Sequence, residues 1–386
     1  MSTPRSPRAR RLAVLTALCA ATALLAACGG GGGGGSSSTD DGATGGSAAP
    51  PVPPPSGAPA NTPTTTLDAT RLAHQASFGP TEALVADIRA RGASNWLAAQ
   101  MTTASSRYTR GGNGDVHQWT GSGNYCDGRS TNCWRDSFSS QPLLWDFYRN
   151  AVGGADQLRQ RVAFALQKIV VVSNLEVEGT YGMRYYYNTL LDNAFGNYRQ
   201  VLKKVALSPL MGDYLNNANN DKAAPNENFA RELLELHTLG VGEYDETDVR
   251  EVARCFTGWT MRPREDEQFG DFVFDAAEHD DGAKSVLGHS LPPHGGERDG
   301  HIVLDLVARH PATARRVALK MCRAFVAEEP PARVVDAVAC AFSDSDGDGR
   351  ATLRAVLRPE SFAVDVDSRA SETNERDHVA TARAKY

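Results

Sequence analysis

The chain has 386 residues, 41% of them hydrophobic and 22% charged, with 40 basic against 46 acidic groups for a net charge of −6. That balance excludes nucleic acid as a main partner, because a chain that reads phosphate backbones presents a basic surface. The length allows a substantial core in one domain or two lobes, and no run beyond the N-terminus is long and apolar enough to cross a bilayer.

The first stretch reads as a sorting signal. Arg5, Arg8, Arg10 and Arg11 precede a short apolar run, Leu12–Leu25, and Leu25-Ala26-Ala27-Cys28 then forms a lipoprotein cleavage box. Residues 1–27 are therefore predicted to be a lipoprotein signal peptide, with lipid on Cys28 as the new N-terminus. An ordinary secretory signal with a chance cysteine is the alternative; the glycine run directly after Cys28 favours lipidation. Cleavage removes four arginines and no acid, leaving 36 basic against 46 acidic groups, a net charge of −10.

Residues 28–66 read as a disordered tether. Gly29–Gly35 opens it, and Ser, Thr, Ala and Pro follow, a composition that buries almost nothing. Pro50–Pro55 is its stiffer part.

From residue 67 helical periodicity dominates. Leu84, Val85, Ile88, Trp96 and Leu97 predict helices broken at Gly92, and residues 103–137 read as a polar, irregular excursion. Helices are then predicted from Leu158 to Val170, over Met183–Ala194 and over Tyr198–Ala206, with a short element starting at Pro209. The section Arg262–Gly300 reads as loop-rich with a short strand-pair element at Phe269–Phe274. Three further helices are expected at His301–Arg309, Ala312–Val326 and Ala332–Phe342. The fold class is mainly α, a multi-helix domain with long loops over residues 67–362.

The most informative stretch is Asn226–Val241. Asn226 or Asn228 caps a helix, Phe229, Leu233, Leu236 and Leu239 trace its apolar side, and Gly240 ends it. Arg231 and Glu235, four apart, are positioned to pair on the surface. Glu232 and His237 border the apolar stripe and are expected to face inward, toward His279–Lys284. Asp245 and Asp248 bracket the start of a second helix as a capping box, so the two form an αα-hairpin joined at Gly240–Tyr244.

These residues also carry a family resemblance. Asn226–Val241, with the following Tyr244–Trp259, is similar to the signature of the bacterial family called domain of unknown function 1800. Arg71–Thr81, Pro209–Leu215, His279–Gly288 and His310–Val326 resemble its other motifs. The resemblance covers about residues 67–362 and implies no established activity. Two departures stand out. Many members carry Trp-His-Asn-His-Phe where this chain has Ala165-Leu166-Gln167-Lys168-Ile169, so a ligand role of those histidines is absent here. Members also continue past Phe362 with apolar helix, whereas residues 363–386 carry few core residues, read as a degenerate or frame-shifted terminus and are expected to be disordered.

Several residue sets carry chemistry. Cys126 and Cys133 flank a polar loop, which in an exported chain predicts a disulfide. Cys255, Cys322 and Cys340 sit at apolar helical positions as small hydrophobes. Asp344, Asp346 and Asp348, with Gly349, resemble the front of a calcium loop, but Ala355 stands where the bidentate glutamate belongs; a solvated turn is the plainer reading. His279, His289, His294 and His301 are metal-type ligands without compact spacing. Arg231, Glu232, His237, His279, Asp280 and Lys284 mix a base, acids and cations. They form either an active cleft or a buried polar network that fixes helix packing. No nucleophile elbow, phosphate loop or dinucleotide fingerprint occurs.

The functional expectation is an exported, lipid-anchored protein, periplasmic or at the cell surface, that binds or assembles an envelope protein or polymer. The alternative is an envelope hydrolase using the His237/His279 region. Calcium is the one cofactor the residues suggest.

Overall fold

A computed structural model describes residues 64–108, 141–173, 176, 180–261 and 272–358. The leader, Cys28, the tether to residue 63, Cys126, Cys133 and the tail from 359 lie outside the described residues.

The described part is mainly α, as the periodicity requires. In chain order the helices are α1 (Thr66–Ala76), α2 (Glu82–Arg91), α3 (Ala93–Thr102), α4 (Gln141–Gly153), α5 (Gln157–Gln167), α6 (Thr180–Asp192), α7 (Tyr198–Ala206) and α8 (Pro209–Tyr214). After α9 (Glu227–Glu232) and α10 (Glu246–Cys255) come four short strands: β1 (Trp259–Met261), β2 (Phe272–Phe274), β3 (Lys284–Val286) and β4 (His289–Leu291). The chain then continues with α11 (Glu297–Arg309), α12 (Pro311–Phe325), α13 (Ala332–Asp344) and α14 (Gly349–Val356).

Local chemistry accounts for most boundaries. Gly92 breaks α2 from α3 at φ 81°, a left-handed angle that costs other residues a steric clash. Asn226 caps α9 by accepting from the Asn228 N–H, and Asp245 with Asp248 makes a reciprocal capping box on α10. The last turn of the central helix, Leu233–His237, widens to π geometry before Gly240 ends it at φ 96°.

Two elements depart from the sequence reading. The section from residue 262 to 300 holds a second hairpin, in which β3 pairs with β4 through Lys284↔Leu291 and Val286↔His289 around a left-handed Leu287-Gly288 turn. The calcium-like stretch is the end of α13, a turn, and the start of α14. Asp346 pairs with Arg309 at 2.9 Å, and the Asp348 side chain accepts from Ala351 N–H as the cap of α14. The turn's backbone is tied to the start of α7: Tyr198 N–H donates to Gly347 O, and Gly349 N–H to Gly196 O, both at 2.9 Å. Asp344, Asp346 and Asp348 do not converge, because two of the three carboxylates serve an arginine and a helix N-terminus.

One apolar cluster runs through the described helices. Around the central hairpin it is aromatic. Phe229 meets Phe256 at 5.1 Å between ring centres, Phe256 meets Trp259 at 4.9 Å, and Trp259 meets Phe272 at 5.2 Å. Such edge-on contacts join α9, α10, β1 and β2 with about 0.5–1.5 kcal/mol per pair beyond area burial. Gly300 of α11 lies flat against this stack, where a Cβ would come within 2.5 Å of the Trp259 ring.

Candidate functional site: a sealed polar network beside the central hairpin

The end of α10 positions the network. Thr257, just past the helix, is fully buried and donates its hydroxyl to Arg254 O at 2.7 Å while accepting from Asp280 N–H at 2.8 Å. Its carbonyl lies 2.8 Å from His279 Nδ1, so that nitrogen carries the proton, and Nε2 faces Asp299 Oδ2 at 3.4 Å. Lys284, the first residue of β3, puts Nζ 2.7 Å from the same Asp299 oxygen. It also donates to the backbone carbonyls of Asp280 and Gly282. His279, Lys284 and Asp299 are all nearly inaccessible to solvent.

Asp299 belongs to the first turn of α11, where the helix dipole favours a negative charge. Glycine makes room for it: a Cβ on Gly295 would lie 1.8 Å from Asp299 Oδ1. At the rim, Arg254 grips Asp280 with Nε at 2.7 Å and Nη2 at 3.2 Å, and also bonds Glu251 at 2.8 Å. That grip holds the Asp280 carboxyl down at about 2. Glu251 reaches on to the Ser285 N–H at 2.9 Å, and Asp248 to the Leu287 N–H at 2.7 Å. The β3–β4 hairpin is thus hung from α10 by carboxylates. Burial, and next the Asp299 charge, push the neighbouring Cys255 thiol well up, which makes it unreactive.

His237 is placed elsewhere. It is 1% exposed, and its surroundings are α7 and α12, not His279–Lys284. Tyr198 donates its hydroxyl to His237 O, and Arg316 donates Nε to Leu236 O at 3.3 Å. Lys320, one turn along α12, donates to Lys168 O at 3.3 Å. One helix thereby supplies cations to the carbonyl ends of the central helix and of α5, where helix dipoles favour positive charge. Burial first, then Lys320 and Arg316, press the His237 imidazole down to about 3, so it is neutral. Its Nδ1 has no hydrogen-bond partner. The π turn is the reason for the misplacement: a widened turn rotates His237 off the face that regular helical spacing assigns it.

The other two central residues also take different partners. Arg231 pairs with Glu246 at 2.7 Å and Glu227 at 3.2 Å, not with Glu235, which accepts instead from the Tyr244 hydroxyl at 3.1 Å. Glu232 is half-buried with Oε2 cut off from solvent and unpaired, and burial raises its carboxyl above the ordinary range. The six residues read from sequence as one constellation therefore divide. His279, Asp280 and Lys284 come together, His237 lies against α12, Arg231 is bound to surface acids, and Glu232 stands half-buried with Oε2 unpaired.

The sequence reading missed Asp299, Thr257, Arg254 and the buried Asn217–Asn220 pair. Asn220 alone binds Ala253 O at 2.9 Å, the Asn226 N–H at 2.8 Å and, through its carbonyl, the Gly258 N–H at 2.8 Å. The detectable signal for Asp299 was an acid between glycines directly before an apolar run. Starting that helix at His301 rather than Glu297 hid its first-turn position. Among the described residues no group of three His, Cys, Asp or Glu side chains is arranged to hold a metal ion. His289 and His294 are exposed on the hairpin and the loop after it.

The hairpin, its capping box and the hung β3–β4 ribbon define a helical domain organised around a buried ionic network. A family model described as "Protein of unknown function (DUF1800)" matches residues 71–375, and the chain belongs to that family. No curated protein and no solved structure matches it. No helix among the described residues is long and apolar enough to cross a membrane.

Proposed function

We propose that this protein is an exported, lipid-anchored factor of the cell envelope that binds or assembles an envelope protein or polymer and does not turn over a substrate. The observation that carries the reading is the saturation of the buried network. Lys284 has three N–H groups and three acceptors, one of them the Asp299 carboxylate, and the His279 Nδ1 proton is taken by Thr257 O. A general base must reach a substrate proton directly or through one water, and a nucleophile needs a free lone pair. Groups bound to one another inside the core serve packing and geometry instead. The leader and the Leu25–Cys28 box support the location.

The test has two parts. Intact mass of the mature chain is expected to show lipid on Cys28, and Cys28→Ser is expected to leave the membrane fraction; an unmodified Cys28 removes the anchor. For the activity, His237→Gln and His279→Asn are expected to affect cellular function only as far as they lower stability. A variant that folds with unchanged stability yet abolishes function restores the hydrolase reading.

A further inference from the structure

Helix α4 is apolar on its outer face as well as its inner one. Its core side carries Leu143 with Asp146 and Asn150, 4%, 0% and 3% exposed, while its solvent side carries Leu144, Tyr148 and Val152 at 50%, 63% and 86%. The usual surface helix keeps its outer face polar. Asn150 is held inward by donating to Ser106 O at 2.8 Å, and Asp146 by Arg149 Nη1 at 2.7 Å. Phe147 turns sideways onto Phe78 and Phe164, with ring centres 5.4 and 5.5 Å away. These bonds set the helix's rotation, so the three apolar residues are held outward by specific contacts. Spaced by four, they form one stripe along α4 about 12 Å long at 1.5 Å per residue. Trp145, 40% exposed, borders it.

We infer that this stripe rests on a lipid surface, the outer layer of the membrane that anchors the chain; the choice of occupant rests on the reading of Cys28 as lipidated. Two features favour lipid. A tyrosine between aliphatic side chains is a residue that settles at the boundary between headgroups and acyl chains. The length of chain before the domain suits the contact, since residues 28–63, taken as a coil of their composition, span roughly 30–36 Å. With a net charge of −10 after cleavage, the attraction is apolar, not electrostatic, and zwitterionic lipid suffices.

The experiment uses the full mature chain from residue 28, once lipidated and once as Cys28→Ser, with phosphatidylcholine vesicles. Hydrogen exchange in the peptides of α4 is expected to slow when the lipidated chain is on vesicles. The Cys28→Ser chain is expected to co-sediment with vesicles weakly. Tyr148→Asp with Val152→Asp should cut that binding by about tenfold or more, since each replaces apolar contact area with a carboxylate. Val241→Asp, an equally exposed apolar site on the hairpin loop, should leave it unchanged. Unchanged α4 exchange on vesicles, or vesicle binding indifferent to the double substitution, overturns the inference. So does α4 protection that grows with protein concentration in the absence of lipid, which assigns the stripe to a second copy. A chain without lipid on Cys28 that still sediments through Tyr148 and Val152 removes the anchor and upholds the surface.

Discussion

Lys284 Nζ lies 2.7 Å from Asp299 Oδ2, and neither side chain reaches solvent. The pair links the β3–β4 hairpin to the first turn of α11, with His279 against the same oxygen. Removing one partner leaves a buried charge without compensation, which costs about 3–5 kcal/mol. Lys284→Met and Asp299→Leu are each expected to lower the urea midpoint by that equivalent. The double variant is expected to recover most of the loss, because the desolvation of both ions disappears with them. Additive losses in the double-mutant cycle would show that the two groups do not act as a pair.

His237 gives a pH dependence with a definite sign. Its imidazole is pressed from 6.5 to about 3 in the folded chain, so below pH 6.5 the unfolded state binds the extra proton. Stability from this group is complete above pH 6.5 and falls as the pH drops, with a slope approaching about 1.4 kcal/mol per unit until about pH 3. His237→Gln removes this contribution. The difference in unfolding free energy between wild type and variant should shrink on acidification through that window. A constant difference from pH 7 to 4 would mean that the imidazole titrates normally.

Gly300 is a packing requirement. A methyl group there meets the Trp259 ring at 2.5 and 2.7 Å and Phe256 at 3.0 Å, within the aromatic stack that joins α9, α10 and β1. Gly300→Ala is expected to cost about 1–3 kcal/mol through overpacking. Gly79→Ala, with nothing within 4 Å of the added carbon, should stay within about 0.5 kcal/mol of wild type. Thermal melts of the two variants separate steric crowding from the general effect of losing a glycine.

The Cys126–Cys133 disulfide is expected in the exported chain, where it would close a short polar loop and add about 2–3 kcal/mol in the chain-entropy model. Peptide mapping without reduction should recover the two cysteines linked. Two freely alkylated thiols would remove the bridge. Cys322, whose thiol burial pushes up to about 12, should stay unlabelled until the protein unfolds.

Local sequence determined what depends on near neighbours. The Asn226 cap, the Asp245–Asp248 box, the break at Gly92 and the extent of Tyr198–Ala206 follow from side chains within four residues of the backbone they satisfy. The same local motifs identify the family. Periodicity also places His237 and Glu232 at the edge of an apolar face, and so off the outer surface.

What lies opposite that face was decided by the tertiary structure, because a repeat of 3.6 residues specifies a direction and no partner. Arg316 and Lys320 come to the His237 end of the central helix from 80 residues away, and the π turn alters the direction itself. Asp299 meets Lys284 because Gly295, without a side chain, leaves room for the Asp299 carboxylate. The Asp344–Gly349 run shows the limit from the other side. Its acids and glycines fit a calcium loop by composition, yet the contact with Gly196–Tyr198 and the ion pair with Arg309 turn it into a helix junction. Hydrogen-bond partners far apart in the chain compete for the same carboxylates, and only the folded arrangement determines which of them is within 3 Å.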